Sequence, residues 1–381
     1  MRGGTKMQIP AFKLERYFAR HEFSAPYLLC CSDCESFSVG EILEMEPGAA
    51  EKLNDLQLGY TESKGGPSLR KEIALLYDRI DPDQVLVHTG AEEAIFIFMN
   101  VALGKGDHVI VHWPCYQSLG DVAKSIGCDV TRWETREENR WELDIDFLKD
   151  HIRKNTKAVV INCPHNPTGY IMPEDYSHEV SRLSQEHGFI IFSDEVYRFL
   201  EYDERDRLPS LCDVNDRAVS LGVMSKTFGL PGLRIGWIAT KNKAIYNRMA
   251  CFKDYTTICN SAPGEFLSSL SLKYKEQLLN RNRGIIAGNL ELLNRFFEKH
   301  RDIFNWQMPK AGPIAFPSLK GQESAEEFCE NLVREAGVLL IPGTLYGPAY
   351  MKNFRIGFGR KNLPECLRQL ERYLDQTFVQ P

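Results

Sequence analysis

Between residues 85 and 240, short runs rich in Val, Ile, Leu, Ala and Phe recur at Val85–Val87, Val109–Val111, Ala158–Ile161, Phe189–Phe192, Ala218–Leu221 and Ile235–Ala239. None shows the apolar–polar alternation of a half-solvated strand, as expected of strands covered on both faces. Between them lie Glu92–Leu103, Gln117–Ile126, Phe147–Asn155 and Glu174–His187, each long enough for a crossover helix. This alternation predicts an α/β domain around a mostly parallel sheet. Residues 1–45 read as irregular. From Ala262 onward helical patterns dominate, with a late strand-like pair at Val338–Ile341 and Phe354–Phe358. The expected organisation is a large domain over residues 46–261 and a smaller α+β domain, in which an N-terminal segment, 1–45, joins residues 262–381.

Composition narrows the partners. The 381 residues are 43% hydrophobic and 26% charged, which excludes a largely disordered chain. With 46 Lys and Arg against 52 Asp and Glu, the net charge of −6 gives no general hold on phosphate backbones, so no nucleic-acid partner is expected. No apolar run is long enough to cross a membrane. Arg2, Lys6, Lys13, Glu15, Arg16, Arg20 and Glu22 interrupt any signal-peptide-like stretch, so a cytoplasmic location is expected. Eleven scattered cysteines include one close grouping, Cys30-Cys31-Ser32-Asp33-Cys34, without a second pair at zinc-site spacing. They are expected to be reduced and mostly packed.

Polar residues collect after the apolar runs. Thr89-Gly90-Ala91-Glu92-Glu93, Trp113-Pro114-Cys115-Tyr116, Asn162-Cys163-Pro164-His165-Asn166-Pro167-Thr168-Gly169, Ser193-Asp194-Glu195-Val196-Tyr197 and Ser225-Lys226-Thr227 all follow strand-like segments. In a parallel sheet those ends share one edge, where ligand crevices form. Thr89-Gly90-Ala91 opening a helix suits a phosphate, though alone it also reads as a plain helix start. Ser225, Lys226 and Arg234 sit on a glycine-rich loop with Gly229, Gly232 and Gly236; a lone lysine there usually reads as a surface charge, but the apolar stretches Leu221–Met224 before it and Ile235–Ile238 after it argue against simple exposure. Asp194 follows a buried run, where a carboxylate needs a cation or donors, and alone reads as a helix cap or structural ion pair. Tyr116, Tyr197 and Trp113 taken singly read as packed aromatics. A phosphate site, a buried acid, an aromatic face, an amide, a phenol and an amine are together what pyridoxal 5'-phosphate needs. Lys226 would form the Schiff base, and Asp194 would keep the pyridine nitrogen protonated so that the ring can act as an electron sink.

Asn166-Pro167-Thr168-Gly169, then Asp194-Glu195-Val196-Tyr197, then Ser225-Lys226-Thr227-Phe228-Gly229-Leu230-Pro231-Gly232-Leu233-Arg234-Ile235-Gly236 resemble, in order and spacing, the class I/II aminotransferase family of fold-type I pyridoxal-phosphate enzymes. The resemblance runs from about Leu58 to Gly359. It implies that Lys226 is the Schiff-base lysine and the base that moves the proton, with Asp194 on the ring nitrogen. Asn166 and Tyr197 would bond the ring's phenolic oxygen, and Tyr116 would stack on its face. Ala91 and Glu92, through backbone N–H groups, would hold the phosphate with Ser225 and Arg234. Tyr60, in Leu58-Gly59-Tyr60-Thr61, resembles the tyrosine that reaches the neighbouring subunit's phosphate, which implies a homodimer. Arg355, in Phe354-Arg355-Ile356-Gly357-Phe358, matches the arginine that binds the substrate α-carboxylate. One position departs from the pattern: Val223 stands where many relatives carry Ser or Thr. The stretch His21–Ser36 matches no motif, and is a candidate lining of the substrate pocket.

The implied activity is amino-group transfer from an L-amino acid to a 2-oxo acid. The alternative is elimination, replacement or cyclisation by the same machinery, as in capreomycidine-synthase-like relatives. A cofactor-binding DNA regulator is disfavoured, because only about 55 residues precede Tyr60, without a helix-turn-helix pattern or a basic face. No metal is expected.

Overall fold

The computed structural model describes residues 8–321 and 324–378. Arg2 and Lys6 of the expected N-terminal segment, and residues 379–381 of the expected C-terminal one, lie outside the described residues. The central sheet has seven strands, in the spatial order Val85–His88, Gly236–Ala239, Ala218–Val223, Ile190–Asp194, Thr156–Asn162, His108–Trp113 and Asp129–Glu134. Neighbours run parallel except Gly236–Ala239, which is antiparallel to both of its partners. The strands expected from the apolar runs are buried along almost their whole length. Helices cover the sheet; Phe98 of Gly90–Ala102, for example, stacks on Phe192 at 4.4 Å between ring centroids. Burial of such side chains contributes about 1.5–3 kcal/mol each.

Several expectations need correction. Asp129–Glu134 is a strand that the apolar pattern does not mark. At the sheet edge it buries only Trp133, so solvent accepts Asp129, Arg132 and Glu134. The described part of the N-terminal segment, residues 8–45, is not irregular. It contains the helices Lys13–His21, which buries Leu14 and Tyr17, and Val39–Leu43, opened by a capping box of Ser38 and Glu41. The helix expected at Phe147–Asn155 runs instead from Ile145 to His151, because Asp144 caps it by accepting from the Asp146 and Phe147 N–H groups. Gly236, counted with the glycine-rich loop, begins the strand expected at Ile235–Ala239.

Strand ends are level where the chemistry falls. Asn162 is in register with Asp194, and Asp194 with Leu221. Away from the sheet, Tyr27–Leu28 pairs in parallel with Val338–Leu339. Phe354–Gly357 lies between Ile314–Ala315 and Ile341–Pro342, antiparallel to both. The N-terminal segment thus closes against the C-terminal third. All eleven cysteines are free thiols and most are buried. Among the described residues no helix is long and apolar enough to cross a membrane, and no cluster of His, Cys, Asp and Glu could hold a metal ion.

Candidate active site

The carboxyl ends of the parallel strands open into a cavity of about 380 Å³. Ala91, Glu92, Tyr116, Asn166, Asp194, Tyr197, Ser225, Lys226, Arg234 and Arg355 all line it. Tyr60 is not brought to this cavity; it stands 94% exposed.

Asp194 ends its strand inside the cavity. Asn162 beside it donates from Nδ2 to the carbonyls of Asp194 (2.9 Å) and Pro164 (3.2 Å), while its Oδ1 accepts from the Asn166 N–H at 2.7 Å. One amide therefore locks two site-bearing loops together. The Asp194 carboxylate is buried and accepts from the Val196 N–H at 3.2 Å. Burial pushes its pKa up to about 7, against the pull of that N–H and of Lys226. Lys226 Nζ donates to Ser32 Oγ at 2.8 Å. Burial lowers the Lys226 pKa, with Asp33 opposing and Arg355 reinforcing. Tyr197 donates its hydroxyl to the Ser32 carbonyl at 3.0 Å. Tyr116 donates to the Glu15 carboxylate at 3.0 Å, and its ring tilts against Phe12.

Arg355 is 1% exposed. Nη1 donates to Tyr346 Oη at 2.9 Å and Asn166 Oδ1 at 3.3 Å, and Nη2 to the Cys30 carbonyl at 3.0 Å. Its Nε is buried without a partner, and among the described residues no carboxylate pairs with it. A buried cation without a counter-ion is costly until an anion arrives. Arg234 sits in the left-handed region at φ 53°. Its Nη2 comes so close to Gly90 that a Cβ there would lie 2.8 Å from it. The guanidinium and the free N–H groups of helix Gly90–Ala102 therefore share one corner, which favours an anion between them. Glu92 in the same turn has its pKa pushed up to about 7 by burial, with the Ser118 hydroxyl opposing. Val223 also faces the cavity, with no hydroxyl to offer.

Motif reading missed part of the lining. Leu14, Glu15 and Phe18 come from helix Lys13–His21, Glu22 caps it, and Arg360 arrives from beyond Phe354–Gly357. The unassigned stretch His21–Ser36 contributes Glu22, Cys31, Ser32 and Asp33. Asp33 is held by a two-pronged ion pair with Arg360, at 3.0 and 2.9 Å. No local signal marks these residues, since the partners of Glu15, Ser32 and Asp33 lie between 101 and 327 positions away.

The lining fits pyridoxal phosphate. Its anionic group would suit the Arg234 corner, its ring nitrogen the buried Asp194 carboxylate and its aldehyde the Lys226 amine, all of which line the one cavity. Comparison with known proteins agrees. A family model described as aminotransferase class I and II matches residues 33–370. Capreomycidine synthase of Streptomyces vinaceus is 27% identical over 93% of this chain and 91% of its own length. A solved PLP-dependent aminotransferase from Streptococcus suis superposes with a TM-score of 0.92 at 32% identity, covering 98% of this chain and all of that one. The PLP-dependent cyclase OrfR gives a TM-score of 0.88 at 28% identity, covering 99% of this chain and all of OrfR. With most of its length matched, and with a cavity built to hold pyridoxal phosphate, the chain belongs to the class I and II aminotransferase family.

Proposed function

We propose that the protein is a pyridoxal-phosphate-dependent aminotransferase that moves an amino group from an L-amino acid to a 2-oxo acid. The observation that carries this reading is the buried Arg355, without a counter-ion, in the same cavity as the Lys226 amine. Its planar fork suits two parallel N–H···O bonds to an α-carboxylate. When bound, pyridoxal phosphate supplies an aldehyde that condenses with amines and a ring that spreads the charge left by loss of the α-proton. Lys226, whose pKa is lowered by burial, takes and returns that proton as general base and acid. Asp194 holds the ring nitrogen's proton. Asn166 and Tyr197 hold the phenolic oxygen, and Tyr116 covers one ring face. Arg234, Ser225 and the Ala91 and Glu92 N–H groups hold the phosphate.

Tyr60 is exposed alongside Leu58, Tyr255 and Ile258. This supports a homodimer in which Tyr60 reaches the phosphate of the neighbouring subunit. The free thiols support residence in a reducing compartment such as the cytoplasm. Residues 1–45 and 262–381 would form the small domain around the large one, 46–261.

A second reading, elimination or cyclisation by the same residues, draws on the likeness to capreomycidine synthase and OrfR. Both readings begin with α-proton removal by Lys226. Incubating the holoenzyme with L-amino acids, with and without 2-oxoglutarate, tests them. Glutamate formed only when donor and acceptor are both present supports transfer. Ammonia or a cyclised product without acceptor supports the alternative, and no reaction with any amino acid overturns both.

A further inference from the structure

Helix Lys13–His21 turns Leu14, Glu15 and Phe18 toward the cavity, and its cap residue Glu22 lines the same wall. Glu15 is held in place by the Tyr116 hydroxyl at 3.0 Å. Among the described residues neither Glu15 nor Glu22 makes an ion pair. The nearby cation Arg360 is already engaged by both oxygens of Asp33. Arg355 supplies an independent sign that a ligand enters here, since it lines the same cavity and its buried Nε has no partner.

The Arg234 corner meets a phosphate and Arg355 meets an α-carboxylate, so neither neutralises the acidic wall. Three half-buried carboxylates remain: Glu92 is taken up by the Ser118 hydroxyl at 2.9 Å, which leaves Glu15 and Glu22 on the helix wall, with the apolar side chains of Leu14, Phe18 and Ile95 lining the same cavity. Apolar flanks ending in carboxylates match an aliphatic stem tipped with positive charge. Desolvation disfavours unpaired carboxylates at such a wall, and an incoming cation reverses that cost.

We propose that this site takes an L-amino acid with a cationic side chain, an ammonium or guanidinium, received by Glu15 and Glu22. The proposal rests on the amino-acid reading above. The test titrates the holoenzyme with L-lysine and L-norleucine, and with L-arginine and its uncharged counterpart L-citrulline, following the visible absorbance of the bound cofactor. The cationic member of at least one pair is expected to bind about tenfold or more tightly than its neutral counterpart. In Glu15→Gln/Glu22→Gln, and partly in Glu22→Gln alone, that ratio should collapse to within about threefold. Preference for lysine supports an ammonium, and preference for arginine a guanidinium. Equal binding within both pairs, tighter binding of L-glutamate, or an unchanged ratio in the double variant overturns the proposal and leaves the amino-acid reading standing. If none of these amino acids, nor a wider panel, perturbs the absorbance, both fall together.

Discussion

Ser32 accepts the Lys226 ammonium on its hydroxyl at 2.8 Å. Its carbonyl accepts the Tyr197 hydroxyl at 3.0 Å, so one residue of the N-terminal segment orients two groups set on the far side of the cavity. Hydrogen bonds of this kind contribute about 0.5–1.5 kcal/mol net. Ser32→Ala removes only the hydroxyl contact. Its kcat is expected to fall about two- to tenfold, with a shifted pH–kcat profile and unchanged cofactor occupancy. Loss of cofactor would instead make Ser32 part of the cofactor-holding set.

Arg355→Lys keeps the charge but loses the fork. Amino-acid affinity should weaken about 10- to 100-fold, while cofactor retained after gel filtration stays near that of the parent. Calorimetric titration with the best donor, alongside the visible spectrum of the same sample, separates the two quantities. A variant that binds its donor normally would take Arg355 out of substrate recognition.

Asp194 sets function against stability. Its carboxyl stays protonated up to about 7 in the folded, cofactor-free chain, against an ordinary value of 3.8. The folded state therefore binds more protons than the unfolded one, and this group's contribution to stability falls as pH rises from about 4 to about 7. At pH 8 the cofactor-free Asp194→Asn protein should be more stable than the parent by roughly 2–4 kcal/mol, an advantage that disappears near pH 4. Its activity should drop by two orders of magnitude or more at every pH, because the amide cannot hold the ring nitrogen protonated. Urea melts at both pH values, paired with activity assays, check both halves.

If Tyr60 serves the neighbouring subunit, Tyr60→Ala and Lys226→Ala each inactivate a homodimer. A mixed dimer then contains one intact site. Co-expression with separate affinity tags should recover about a quarter to a half of parental activity in purified heterodimers, as expected when sites are shared. Verified heterodimers without recovery would count against that arrangement.

Much of the sheet was legible because its strands are buried on both faces, and Val85–Val87 or Ala218–Leu221 cannot tolerate polar alternation. Asp129–Glu134 escaped notice for the opposite reason, since one side of it meets water and its single buried anchor, Trp133, leaves no periodic trace. Lys13–His21 was hidden because its N-cap, Phe12, offers no side-chain acceptor. The polar groups after each strand announced the cavity through local motifs. Glu15, Ser32 and Arg360 could not be read that way, because they reach the cavity through contacts that no short window of sequence contains.

The Arg355–Cys30 hydrogen bond joins residues 325 positions apart. At about 5–20 residues per second of synthesis, roughly 15–65 s pass between the appearance of its two ends. Ala91 through Arg234 leave the ribosome well before Arg355. The pocket for the phosphate can therefore take shape while the N-terminal segment, already in reach of Tyr116, Tyr197 and Lys226, still lacks its partners in the C-terminal third. During its own birth, the enzyme can acquire its cofactor before it can recognise what that cofactor will act upon.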